Sequence, residues 1–190
     1  MKFSLVLAGF AACAAAMPHW GDKDRCISQG AANQLVADFA ATLTHVDIPA
    51  SNRTLQRILG DDFFENSGSI NLLAGYPVST LVLMWASTRT NEDQVEAVTF
   101  RGKQGYINGL LMSEGPSGIE TNYVYVANCN NVVWKWLFRG VGSRKYPVSG
   151  INIFHLNNRN QIASMDVEFN NIAWGVNIGF TVIDYTGKQL

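Results

Sequence analysis

The sequence predicts an α+β fold, with N-terminal helices packed on one face of a curved antiparallel sheet. Three observations predict it. The early part of the chain carries apolar residues at helical spacing, and everything after Gly118 alternates with period two between short turn texts. The chain has 190 residues, 47% of them hydrophobic and 15% charged, which suits one domain with a sizeable core. Helices first and strands afterwards place the two kinds of element in separate layers.

Each element has a local reason. From Ser28, Leu35, Phe39 and Leu43 recur four apart, and Ser28 can cap that helix, which should end near His45 before VDIPAS. Ser51 is expected to cap a second, shorter helix that turns Leu55, Ile58 and Leu59 inward and stops at Gly60. DDFFENSGSINLLAG reads as loop with a short turn. RGKQGYINGLLM spaces Tyr106, Ile107, Leu110 and Leu111 as a third helix despite its glycines, and SEGPSG breaks it. Four strands follow: 120–127, 131–141, 147–157 and 161–169. The Asn-rich text NNRN makes the last two a hairpin.

The N-terminus stands apart from the fold. MKFSLVLAGFAACAAA has Lys2, an apolar run and a small-residue end at Ala14-Ala15-Ala16, the pattern of a secretory signal peptide covering 1–16. Its cleavage removes Cys13 and leaves Cys26 and Cys129, which in an oxidising compartment are most simply one disulfide rather than two buried thiols. Asn52, in SNRT, is a glycosylation sequon consistent with a secreted, extracellular protein.

Composition excludes several functions. With 14 basic against 15 acidic residues and no basic block, nucleic acid is not an expected partner. No apolar run reaches the length of a membrane span, so no membrane association is expected once the signal is removed. The histidines lack metal-ligand spacing, and phosphate-loop, dinucleotide and nucleophile-elbow motifs are missing, so neither metal nor cofactor is expected.

Four texts, ILGDDFFENSGSINLLAG, CNNVVWKW, GVGSRKYPVSGINIF and QIASMDVEFNNIAWG, carry a resemblance over about Cys26 to Gly179. The chain resembles the nuclear transport factor 2-like superfamily, and within it the secreted fungal polyketide-cyclase-like (SnoaL-like) proteins. The resemblance implies a cone, in which a bent sheet wraps a long helix and leaves a pocket open at one end. It also implies a convex face through which members often form homodimers. Members include dehydratases, isomerases, cyclases and plain binding modules, so the fold permits chemistry without implying it.

The resemblance assigns the site. Alternation puts Ile162, Ser164, Asp166, Glu168 and Asn170 on one face of the last strand and Ala163, Met165, Val167 and Phe169 on the other. Patterning alone would leave the acids in water. The family places the residue after the hairpin turn, Ile162, inside the cone, which makes Asp166, Glu168 and Asn170 pocket residues. Glu168 would then move a proton, with Asp166 beside it, and Asn170 would hold a substrate carbonyl. Trp134, Trp136 and Phe138 share a strand face and would form pocket wall with Ile162, and Trp174 would close the wide end. Lys135 and Arg139 should be solvated. Asp61, Asp62 and Glu65 belong at the pocket mouth in capping or surface roles, Asp62 being a minor candidate acid. His155 reads as structural, and His19 and His45 sit near terminal or mobile segments.

The expectation is a secreted small-molecule pocket protein that takes a small apolar molecule. Read as an enzyme, it would isomerise, dehydrate or cyclise an apolar secondary metabolite without a cofactor. Two other readings stay open: a non-catalytic binder of a hydrophobic ligand, and a secreted interaction protein whose cone is filled by side chains. One segment departs from the family, whose members run almost directly from LLAGYP into VTF. The seventeen residues Val78–Gln94 intervene and read as a retained intron: Val78-Ser79-Thr80 can be encoded with GTGAGT, Thr90-Asn91 as ACTAAC and Gln94 as CAG. A genuine insertion that shields the pocket is the alternative, and a spliced transcript still encoding Met84 and Trp85 would decide for it.

Overall fold

The computed structural model describes residues 26–74, 98–143 and 145–190. The expected signal peptide, His19 and the Val78–Gln94 segment lie outside these residues. Ser28 caps helix α1 (Gln29–Leu43), its hydroxyl accepting from the Ala31 N–H at 3.2 Å. The face of α1 bearing Ala32, Leu35, Val36, Phe39 and Leu43 is buried. Helix α2 (Ile48–Ile58) starts earlier than Ser51. Asp47 is its cap, accepting from the Ala50 N–H at 2.8 Å, and Pro49 stands in the first turn, where its missing N–H costs nothing. Ser51 is instead buried inside the helix.

The stretch expected to be loop is regular structure. It folds as strand β1 (Leu59–Asn66) and helix α3 (Gly68–Ala74). Strand β2 (Val98–Arg101) and helix α4 (Lys103–Met112) follow. Then come β3 (Gly118–Asn128), β4 (Asn131–Arg139), β5 (Val148–Leu156), β6 (Ile162–Phe169) and helix α5 (Asn171–Asn177). The described strands form one six-stranded curved sheet in the order β2-β1-β6-β5-β4-β3. It is mixed, not wholly antiparallel, because β1 runs parallel to β6. Those two strands are joined through the rest of the fold, so no hairpin dictates their relative direction. The β5–β6 hairpin forms at the Asn-rich turn, where Asn157 Oδ1 accepts from the Arg159 and Gln161 N–H groups.

Helix α1 covers the concave face of the sheet. Phe39 meets Trp134 and Phe154 edge-on, with ring centroids 6.0 and 5.1 Å away. Trp136 lies across β5 at Gly150, where a Cβ would come within 2.2 Å of the indole, so that position admits no side chain. A Cys26–Cys129 disulfide ties the start of the described chain to the β3–β4 turn across 103 residues of sequence. Among the described residues no helix is long and apolar enough to cross a membrane.

One irregularity decides which face carries the acids of β6. Leu156 pairs with Ile162 and His155 with Ser164, so Ala163 is an extra residue in the ladder. The bulge shifts the phase of the strand. Ile162 points into the core, and after the bulge so do Met165, Val167 and Phe169. Ser164, Asp166 and Glu168 lie on the outer face.

Candidate functional site

The carboxyl inside the cone belongs to Glu65. Strand β1 alternates Phe63 and Glu65 inward against Phe64 and Asn66 outward. Glu65 is 2% exposed, pairs in register with Met165 and Phe100, and its Oε2 has no hydrogen-bond partner among the described residues. Burial alone pushes its carboxyl from 4.5 up to about 8. The group is therefore largely protonated at neutral pH.

Helix α4 supplies the second polar group. Tyr106 is buried, with its ring 4.8 Å from that of Phe63 and 5.6 Å from that of Phe100. Gly109 lets this helix approach β2, since a Cβ there would come within 2.8 Å of the Phe100 ring. Burial first, and the Glu65 charge second, hold the Tyr106 phenol well above its ordinary range. It stays a donor at any ordinary pH.

Across β6 from Glu65 the interior is aromatic, with one amide in it. Asn152 is buried, and its Oδ1 accepts from Trp136 Nε1 at 2.6 Å. Trp134 Nε1 donates to Thr121 Oγ1 at 3.1 Å. Trp136 stacks on Phe138 with centroids 3.8 Å apart, and Trp174 packs on Phe138 and Phe169 at 6.3 and 4.9 Å. The expected wall residues Trp134, Trp136, Phe138 and Trp174 are thus brought together. Ile162 lies at the other end of β6, paired with Leu59 and Leu156.

The acids expected in the pocket are elsewhere, and the bulge at Ala163 is the reason. Glu168 is exposed and clamps the start of α3: its carboxylate accepts from the Gly68 N–H at 2.7 Å, the Ser69 N–H at 3.2 Å and the Ser69 hydroxyl at 2.5 Å. Asn170 caps α5, its Oδ1 accepting from the Ala173 N–H at 3.0 Å. Asp166 accepts from Asn66 Nδ2 at 3.0 Å and lies 2.8 Å from His155 Nε2, whose other ring nitrogen meets Asn131 at 3.0 Å. These are satisfied outer-face groups. Asp61 and Asp62 are exposed, whereas Glu65, expected at the surface beside them, is the buried one. The alternation of Phe63 and Glu65 was the available signal, and the two preceding aspartates hid it.

The remaining candidates are accounted for. Asn52 is exposed on α2. Arg139 pairs with the exposed Glu120, and Lys135 donates to Ser149 Oγ at 3.1 Å. Among the described residues no three His, Cys, Asp or Glu side chains gather as a metal site. A separate cleft of about 570 Å³ opens between α3, α5 and the C-terminal segment, lined by Leu72, Leu73, Ile172, Phe180 and Ile183 among others. None of its lining residues is titratable.

The chain matches the NTF2-like domain over residues 25–181. A comparison with curated proteins finds no match. Among solved structures, a SnoaL-like protein of unknown function from Burkholderia thailandensis E264 aligns with TM-score 0.51 and 17% identity, over 77% of this chain and 99% of that one. An NTF-2 like protein of unknown function from Burkholderia xenovorans LB400 aligns with TM-score 0.48 and 12% identity, over 73% and 81%. A steroid delta-isomerase from Pseudomonas aeruginosa aligns with TM-score 0.47 and 13% identity, over 82% and 93%. With the family match spanning most of its length and a curved sheet wrapped on α1, the chain belongs to the NTF2-like family.

Proposed function

We propose that this protein is a secreted pocket protein for a small apolar molecule, and that Glu65 moves a proton on that molecule in a cofactor-free isomerisation, dehydration or cyclisation. The observation that carries the reading is the buried Glu65 carboxyl with an unpartnered oxygen beside Tyr106. A carboxyl whose pKa lies near neutrality has the two states that proton transfer needs. It can give its proton to an oxygen, and the carboxylate left behind is a stronger base than one in water because burial penalises its charge. Phe63, Phe100 and Tyr106 supply apolar surface around it.

The test pairs spectroscopy with chemistry. Infrared titration should show a protonated carboxyl persisting at pH 7, absent from Glu65→Gln. The metabolites of a strain carrying Glu65→Gln should differ from those of the parent by accumulation of an apolar precursor. Unchanged metabolites would assign the pocket to binding without chemistry. Secretion is checked separately, by the mass of the mature chain recovered from the culture medium.

A further inference from the structure

The cleft between α3, α5 and the C-terminal segment lies outside the cone. Helix α5 divides the two spaces: Trp174 packs inward on Phe138 and Phe169, whereas Ile172 and Gly175 line the cleft. Gly175 forms its floor, since a Cβ there would come within 3.3 Å of the Phe180 ring and 3.4 Å of Leu73 Cδ2. The C-terminal wall is a folded hairpin. The Phe180 N–H donates to the Gly175 carbonyl at 2.8 Å, and the Leu190 N–H donates to the Val182 carbonyl at 3.0 Å. Asp184 Oδ1 closes the turn, accepting from the Thr186 N–H at 2.8 Å and the Lys188 N–H at 3.0 Å.

The lining states what fits. A volume of about 570 Å³ is that of a small-molecule site. Nine residues line the cleft, against about 20–30 on each side of a stable protein interface, so it suits a small molecule rather than a second copy of the chain. None of the nine is charged, so a carboxylate, phosphate or ammonium group taken out of water there would find no opposite charge. Asn171 and Thr181 are the polar side chains, enough for one hydroxyl or carbonyl. Leu72, Leu73, Ile172, Val182 and Ile183 make the rest mainly branched aliphatic. Of the eleven large apolar side chains exposed among the described residues, six lie on α3, on α5 or beyond it, so covering apolar surface gains most at this end of the molecule.

We propose that this cleft is a second binding site, outside the cone, for an uncharged branched-aliphatic molecule of the isoprenoid alcohol class. The hydrocarbon chain lies between Leu72, Ile172 and Ile183, and its oxygen meets Asn171 or Thr181. No bond is made or broken there, and the site does not depend on the reading of Glu65.

The probes are farnesol and its anionic counterpart farnesyl phosphate, titrated calorimetrically into the purified full-length mature protein. The wild-type protein should bind farnesol about tenfold or more tighter than the phosphate, because the cleft offers the anion no partner. Ile172→Asp and Ile183→Asp each place a carboxylate on one wall and should weaken farnesol binding about tenfold or more. Both side chains are more than half exposed, at 53% and 55%, and an Asp in the first turn of α5 suits the helix dipole, so the thermal midpoint should hold. Should one variant fail to fold, the other carries the test from the opposite wall. Glu65→Gln should bind farnesol as the wild type does. A wild-type protein that does not bind farnesol overturns the inference, as do folded cleft variants that bind it undiminished. Binding lost in Glu65→Gln but kept in both cleft variants also overturns it and puts the ligand inside the cone. So does a wild-type dimer in sedimentation that Ile172→Asp dissociates, since a second copy would then cover the cleft.

Discussion

Glu65 and Asn66 are consecutive residues on opposite faces of β1, and the two faces treat polar groups in opposite ways. On the outer face Asn66, Asp166, His155 and Asn131 form a hydrogen-bonded row across four strands, each partly open to water. On the inner face Glu65 and Asn152 are almost fully buried, and each has hydrogen-bonding capacity that no strong partner takes up. The outer row adds polar cross-strand pairs to the sheet. The inner groups destabilise the fold as they stand.

The faces also titrate in opposite senses. Glu65 has a raised pKa, so the unfolded chain ionises first, and stability falls as pH rises from 4.5 to about 8. Asp166 behaves the other way. Burial raises it, but the hydrogen bonds from His155 and Asn66 outweigh burial and hold it below its ordinary 3.8. Its stabilising share is present above that value and is lost as pH falls through the lower folded-state pKa.

The largest expected effect sharpens this contrast. A rise from 4.5 to about 8 corresponds to about 5 kcal/mol. Urea unfolding of wild type and Glu65→Gln should therefore diverge by up to that amount as pH rises through this window, with the variant the more stable. Parallel curves would mean the carboxyl is not buried. Next in size is Gly150→Ala, which drives a methyl into Trp136 and should cost about 3 kcal/mol, lowering the thermal midpoint and shifting tryptophan emission. Glu168→Ala removes the carboxylate at the start of α3 and should cost about 1–2 kcal/mol, with the metabolites of the strain unchanged. An accumulated precursor in that strain would move the chemistry to the outer face. Smallest is His155→Ala, a half-exposed pair worth about 1 kcal/mol or less, seen as a weaker fall in stability below pH 4.

Much of the fold was legible. Helix α1, the third predicted helix, the four C-terminal strands and their hairpin follow from spacing and turn chemistry, which act locally. Strand β1 was not. Asp61 and Asp62 interrupt its alternation, and its pairing with β6 joins residues about a hundred positions apart. Trp134, Trp136, Phe138 and Trp174 share the inner face as expected, whereas Asp166 and Glu168, expected there with them, lie on the outer face, since a period-two count along β6 fails at one extra residue.

By itself, then, the sequence determined the α+β class, the inward aromatic strand and a polar strand with acids at alternate positions, because these depend on the periodicity of neighbouring residues. Tertiary structure alone decided which face of β6 those acids occupy and that the buried carboxyl is Glu65. A bulge costs the sequence nothing visible, yet in a sheet it reverses every side chain beyond it. Burial of Glu65 depends on Met165, Phe100 and Tyr106, which meet it only when β6, β2 and α4 are in place.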